Sequence, residues 1–210
     1  MSAYYIERAR REFAARDLAA ALESCLLAIA EDGANADAWF LRATLEMALG
    51  RGAEAVSSAE RAAQLSPVDA KNWYLLGNAH GEMGDREAAR DAYRKSVDAA
   101  PEWGVAWNRL GTALFELGDA AGAESAFARA VQADPGHARA WNNLAHARLQ
   151  QGLLAEAEEA LKRALEVQPD YDHAFANLAR VERGRGNEAR AAQYAAVAER
   201  LRQLPSGRDT

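Results

Sequence analysis

The sequence predicts an all-helical solenoid, because three residue types share one period. Tryptophan recurs every 34 residues, at Trp39, Trp73, Trp107 and Trp141, and Phe175 continues the series. Proline and glycine keep the same step, at positions 67, 101, 135 and 169 and at positions 50, 84, 118, 152 and 186. A strict period of this length is typical of a chain that repeats one structural unit, rather than of a domain with one central core.

Six repeats of this length account for nearly the whole chain. They run over residues 2–35, 36–69, 70–103, 104–137, 138–171 and 172–205, and they leave a tail at residues 206–210. Since each repeat of a solenoid packs only on its neighbours, we expect a single array.

Within the fourth repeat, the apolar spacing predicts two helices, called helix A and helix B in every repeat. Trp107 and Leu114 share one face of helix A, and Phe127 lies on the equivalent face of helix B. Gly118 is expected to end helix A, and Pro135 to end helix B. Small residues, such as Gly at position 111, are expected to let the two helices approach closely.

The order of these residues resembles a known repeat family. Trp107 is followed by Leu110-Gly111 and Gly118, then by Ala123, Phe127 and Pro135, and the third repeat keeps much of this order. The pattern is similar to the tetratricopeptide (TPR) repeat, Trp-x2-Leu-Gly-x2-Tyr followed by Ala-x3-Phe and Pro. The resemblance implies antiparallel helix pairs that stack into a right-handed superhelix.

The two terminal repeats depart from the pattern, as the ends of solenoids usually do. The first repeat has Tyr5 in place of the tryptophan and Arg16 in place of the glycine. The last helix must cap itself, and its apolar residues form a strip that could join copies of the chain or mark where a longer protein continues. These residues are Tyr194, Val197, Leu201 and Leu204.

Composition limits the classes of partner and compartment. The net charge of -6 argues against nucleic acid as a general partner, because phosphate binding needs clustered Lys and Arg. The single cysteine, Cys25, allows no intramolecular disulfide and is expected to be a buried, unreactive thiol. We find no secretory leader and no apolar run long enough to enter a membrane, so we expect a cytoplasmic protein.

In TPR arrays, helix A of each repeat lines a groove, and this resemblance implies a candidate binding surface. Repeats 1 to 3 place mainly apolar residues there, among them Phe40, Met47 and Tyr74. Repeats 3 to 6 place amide and cationic side chains there: Asn78, Asn108, Arg109, Thr112, Arg139, Asn142, Asn143, His146, Asn177 and Arg180.

These residue types favour recognition of an extended peptide. An Asn side chain bonds both the N–H and the C=O of a peptide unit, and Arg holds a carboxylate with two bonds. We therefore expect a segment whose apolar part lies near repeats 1 to 3 and whose polar or acidic part lies near repeats 4 to 6. The alternative is that Tyr74, Asn78, Asn143 and Asn177 are residues common in the family and carry no partner information.

One known version of the groove does not fit. The carboxylate clamp that holds chaperone tails would have Lys where this chain has Tyr74, and it would have Asn and Arg where this chain has Arg109 and Asn143. Asn78 matches, and Arg139 supplies a cation in place of Lys. A chaperone tail is therefore not expected, although Arg109 and Arg139 leave room for another acidic ligand.

Three further residues stand out in the turns between repeats: Trp103, His137 and Tyr171, at equivalent places in successive repeats. One interpretation is a hydrophobic staple, in which each ring packs on the start of the following helix. The other is an edge of aromatic anchors that contacts a partner.

No arrangement of catalytic residues stands out from the periodic background. The pair His146 and His173 offers too few ligands for a metal site, and we expect no metal and no cofactor. The sequence therefore predicts a non-catalytic scaffold for a protein or peptide partner. Two alternatives stay open: the substrate-targeting region of a larger sugar or sulfo transferase, and an adaptor that forms homo-oligomers through its C-terminal helix.

Overall fold

The computed structural model describes residues 2–204, and this part of the chain contains twelve α-helices and no strand. Pro205 and the predicted tail, residues 206–210, lie outside the described residues. The helices are α1 (Ser2–Ala14), α2 (Leu18–Glu31), α3 (Ala36–Ala48), α4 (Gly52–Leu65), α5 (Ala70–Glu82), α6 (Arg86–Ala99), α7 (Gly104–Glu116), α8 (Ala120–Ala133), α9 (Ala138–Gln150), α10 (Leu154–Val167), α11 (Asp172–Gly184) and α12 (Glu188–Gln203). The all-helical prediction is confirmed.

Each repeat supplies one odd-numbered helix A and one even-numbered helix B, which pack on each other. The turn between them is short because a glycine takes the left-handed backbone conformation, as at Gly118 with φ 85°. Asp119 then caps helix B, since its side chain accepts a hydrogen bond from the Gly122 N–H at 2.8 Å. The first repeat keeps this turn without glycine, so Arg16 itself has φ 62°.

Small residues let helices A and B approach closely, as the sequence predicts. A Cβ atom on Gly111 would lie 2.7 Å from the ring of Phe127, and one on Gly77 would lie 2.5 Å from the ring of Tyr93. The aromatic side chain of helix B therefore fills the space that the glycine leaves open.

The periodic tryptophans tie helix A to the turn before it. The indole N–H of Trp73 donates to the Pro67 carbonyl at 2.8 Å, and that of Trp141 donates to the Pro135 carbonyl at 2.9 Å. Trp39 makes the same bond to Gly33. Tryptophan and the turn residue therefore recur together because one bonds the other.

A charged group lies inside the N-terminal repeats. Glu46 is 2% exposed, and its carboxylate accepts hydrogen bonds from Arg42 at 2.7 Å and from Ser58 at 2.6 Å. Both partners are needed because an unpaired buried carboxylate is costly. The same three residue types make the same bonds one repeat earlier, at Arg8, Glu12 and Ser24.

The chain divides into two compact units, here called the N-terminal half, which ends at Pro101, and the C-terminal half, which begins at Glu102. The N-terminal half contains α1 to α6, and the C-terminal half contains α7 to α12.

Candidate binding surface

In the N-terminal half, the predicted groove residues pack into an apolar cluster. Phe40 and Met47 are half-buried against Leu75 and its neighbours on α3 to α6. Tyr74 lies 5.9 Å from the ring of Tyr93. These side chains therefore serve as packing between helices as well as lining a surface.

Asn78 is the one predicted amide of this half. Its Oδ1 accepts a hydrogen bond from the Tyr93 hydroxyl at 2.8 Å. The amide is half-buried and is held by helix B of its own repeat. Its Oδ1 atom is therefore already used in a hydrogen bond that joins the two helices of the repeat.

In the C-terminal half, the asparagines bond one another across neighbouring A helices. The Nδ2 group of Asn143 donates to Oδ1 of Asn108 at 3.0 Å, and that of Asn177 donates to Oδ1 of Asn142 at 2.9 Å. Asn108 and Asn142 are each 7% exposed, and Asn177 is 9% exposed. We call these four residues the asparagine ladder.

The ladder leaves polar groups unused on its outer side. Within the described residues, the Nδ2 groups of Asn108 and Asn142 donate no hydrogen bond, and Oδ1 of Asn143 accepts none. None of these atoms is fully buried. They are the donors and the acceptor that a peptide backbone needs.

Thr112, His146 and Arg180 lie on the same side of α7, α9 and α11 as the ladder. Thr112 donates to the Asn108 carbonyl at 3.0 Å, and Arg180 donates to Oδ1 of Asn177 at 3.1 Å. The His146 ring lies 4.7 Å from the ring of Phe115. Burial lowers the pKa of His146, and the positive charge of Arg180 lowers it further.

Two predicted arginines, Arg109 and Arg139, are exposed on this side. Arg139 reaches Tyr171, where its charge and hydrogen bond oppose the rise in the tyrosine pKa that burial causes. We call the exposed surface formed by the ladder with Arg109, Thr112, Arg139, His146 and Arg180 the helix-A face of the C-terminal half.

The three turn residues are the N-cap residues of α7, α9 and α11, and all three are half-buried: Trp103, His137 and Tyr171. None of them makes a side-chain cap bond. In the N-terminal half, Asn35 and Asp69 occupy the equivalent place and do make one. Nδ1 of His137 is buried and has no hydrogen-bond partner among residues 2–204.

The remaining candidates for chemistry are not brought together. Cys25 is fully buried, its thiol donates to the Ala38 carbonyl at 3.0 Å, and burial raises its pKa to about 12. His173 is exposed and lies 2.8 Å from Asp172. Among the described residues, we find no group of three or more His, Cys, Asp or Glu side chains that could hold a metal ion, and no helix long and apolar enough to cross a bilayer.

Comparison with known proteins gives the family. The model of the family described as the cilia and flagella-associated protein 70 C-terminal domain matches residues 6–207. The chain belongs to this family. This match and the similar solved structures confirm the TPR resemblance and the helix pairs that the sequence predicts. No curated relative matches the sequence.

Several solved TPR-like structures are similar to this one. YrrB, described as a TPR protein with an unusual peptide-binding site, is 23% identical with a TM-score of 0.74, over 86% of this chain and 93% of YrrB. PilF of Pseudomonas aeruginosa is 15% identical with a TM-score of 0.80, over 97% and 93%. MamA is 22% identical with a TM-score of 0.73, over 80% and 92%. At these identities the likeness shows the fold alone.

Proposed function

We propose that this TPR protein is a non-catalytic interaction scaffold and that the helix-A face of the C-terminal half binds an extended segment of a partner protein. The observation that carries the proposal is the asparagine ladder. It fixes four amide side chains in place and, within the described residues, leaves the Nδ2 groups of Asn108 and Asn142 and the Oδ1 atom of Asn143 unused.

Hydrogen bonds to a peptide backbone from side chains that are already held in place cost little conformational entropy. A free asparagine on a surface loses rotamer freedom when it binds, whereas Asn142 is already held by Asn177 and packed at 7% exposure. Backbone recognition of this kind does not depend on the partner's side chains. It therefore suits a scaffold that recognises an extended chain.

The face combines these amides with apolar contact. The half-buried rings of Phe115 and His146 lie 4.7 Å apart beside the ladder, tilted by 44°, and offer apolar contact to a side chain of the segment. YrrB is described as having a peptide-binding site, and its similar fold makes the same class of ligand reasonable here.

The proposal is tested with peptides selected from a random library on the full chain. Thr112→Trp places a large side chain on the helix-A face, and Ser125→Trp places the same side chain on the exposed surface of α8. We expect Thr112→Trp to weaken peptide binding at least ~10-fold by steric exclusion and Ser125→Trp to leave it unchanged, measured by fluorescence anisotropy. Failure to select any peptide, or equal binding by both variants, would contradict the proposal.

Several finer expectations stay predictions of the sequence. They are the repeat bounds, the two-part segment with its apolar end on Phe40 and Met47, the cytoplasmic location, and the exclusion of nucleic acid. The transferase-targeting alternative rests on no residue of this surface.

Self-association is the alternative that a specific observation favours. Val197 in α12 is 40% exposed and Leu204, directly after this helix, is 55% exposed, so the predicted apolar strip is partly accessible. Val197→Glu is expected to abolish any dimer that this strip forms. Light scattering that showed only monomer for the wild type at high concentration would end this alternative.

A further inference from the structure

The helix-A face of the C-terminal half is positively charged, although the protein as a whole is negatively charged. The chain carries a net charge of -6, yet four exposed arginines lie on the A helices of this half. They are Arg109, Arg139, Arg180 and Arg183. The TPR resemblance assigns positions 2, 5, 6, 9, 12 and 13 of each repeat to the groove. At these positions of repeats 4 to 6, the acidic residue is Glu116.

The equivalent positions of the N-terminal half show no such excess. The acidic residues Glu7, Asp37 and Glu82 accompany the basic residues Arg10 and Lys71 there. Arg10 also forms ion pairs with Glu7 at 2.9 Å and with Asp37 at 3.8 Å. The positive character therefore belongs to one half and is not a general property of the A helices.

Three of the basic residues lack an acidic partner within the fold. Among the described residues, no carboxylate lies within ion-pair distance of Arg139, Arg180 or Arg183. Asp172, at the start of α11, is occupied by His173 and by Arg202 at 3.2 Å. Carboxylates from a ligand would meet guanidinium groups that the protein itself does not neutralise.

We propose, as a refinement that rests on the function proposed above, that the segment bound by this face is acidic, with Asp or Glu side chains that pair with Arg139 and Arg180. The ladder amides Asn108 and Asn142 donate to the backbone carbonyls of the segment, and the arginines hold its carboxylates. Guanidinium–carboxylate pairs form two parallel hydrogen bonds, which gives them both strength and direction.

The arrangement differs from the carboxylate clamp, which the residues of this chain do not match. There, Lys and Asn side chains hold the terminal carboxylate of a tail. Here, Arg139 lies on α9 and Arg180 on α11, and Arg180 donates to the ladder amide Asn177 at 3.1 Å. We therefore expect an internal acidic segment to bind without requiring a free C-terminus.

The test uses the full chain and two blocked, fluorescent peptides, one of alternating Ala and Glu and one of alternating Ala and Gln. Both have the same length and backbone, and only the first is charged. We expect the Glu peptide to bind at least ~10-fold more tightly than the Gln peptide, because hydrogen bonds to charged groups contribute more than neutral ones. Added salt should weaken the binding of the Glu peptide and leave that of the Gln peptide nearly unchanged.

Matched variants locate the effect. Arg139→Gln/Arg180→Gln should remove the preference for the Glu peptide. The control Arg129→Gln/Arg200→Gln removes the same amount of charge from exposed positions on α8 and α12. It should leave the preference for the Glu peptide unchanged. Circular dichroism checks that both double variants fold.

Each other outcome overturns the inference. Equal affinity for the two peptides, both weakened by Thr112→Trp, would reject the acidic specificity and keep the function proposed above. No binding of either peptide would also reject it, and the library peptides would then test the proposed function separately. A single-stranded DNA of similar charge that bound as tightly as the Glu peptide would show a general anion surface rather than a peptide site.

Discussion

Within each half, neighbouring A helices contact each other at the same repeat positions. The residue types that make this contact differ between the N-terminal and the C-terminal half. Phe40 lies on the apolar cluster that contains Leu75. Three repeats later, Asn142 occupies the position of Phe40 and Asn177 occupies the position of Leu75. These two asparagines bond each other at 2.9 Å. A contact made by burial in one half is made by an amide hydrogen bond in the other.

This difference shows which residues the fold requires and which it leaves to vary. An apolar pair and an amide pair both hold neighbouring A helices, so the fold alone does not demand asparagine. Amides that are 7% to 9% exposed cost desolvation energy unless they are bonded. Their presence in one half is therefore better explained by the unused polar groups that they offer at the surface.

The first prediction tests what the halves share. Trp73→Ala and Trp141→Ala each remove a large side chain and the bond from its indole N–H to a proline carbonyl. Each substitution should lower the free energy of unfolding by about 3–5 kcal/mol, measured by urea unfolding with circular dichroism. A cost confined to one of the two would show that the halves do not share this support.

The second prediction tests the ladder. Asn177→Ala leaves Oδ1 of Asn142 without its donor and should cost about 1–3 kcal/mol. The double variant Asn142→Leu/Asn177→Leu restores an apolar pair of the N-terminal kind and should regain most of that stability. Peptide binding should be lost in the double variant, and retained binding would contradict the role given to the amides.

The third prediction concerns the helix starts. Asp69 accepts a cap bond from the Lys71 N–H at 3.0 Å, so Asp69→Ala should cost about 1 kcal/mol. In the described part of the chain, His137 makes no such bond and its buried Nδ1 has no hydrogen-bond partner. His137→Asn should therefore raise the free energy of unfolding by about 0.5–1 kcal/mol, which is measured as a higher melting temperature. A loss of stability instead would show that ring packing, as in a hydrophobic staple, outweighs the missing cap.

The smallest effect is a dependence on pH. Burial and Arg180 lower the pKa of His146 below its ordinary value of 6.5. As pH falls through about 6.5, the unfolded chain takes up this proton before the folded chain does, so the free energy of unfolding decreases. His146→Gln should flatten this decrease relative to the exposed control His173→Gln, in urea unfolding followed across that range.

The repeat period predicts the helix pairs because its residues act locally. Gly118 forms a turn through its own backbone, and Trp141 bonds a carbonyl six residues earlier. The sequence also indicates which amides and arginines belong to helix A. These features depend on the order of residues within one repeat.

The bonding of the ladder could not be predicted in the same way. Its bonds join residues 35 apart, and their direction depends on how neighbouring A helices pack. The buried carboxylate of Glu46 was also missed. The recurrence of Arg-x3-Glu one repeat apart, at Arg8–Glu12 and Arg42–Glu46, is the signal that could have revealed it.

The most direct test of the central claim is amide hydrogen exchange on the full chain, with and without a saturating library-selected peptide. We expect added protection in α7, α9 and α11, beside the asparagine ladder. Further protection in α3 and α5 would indicate the two-part segment. Protection confined to the B helices, or to the N-terminal half, would contradict the assignment of the helix-A face of the C-terminal half as the binding surface.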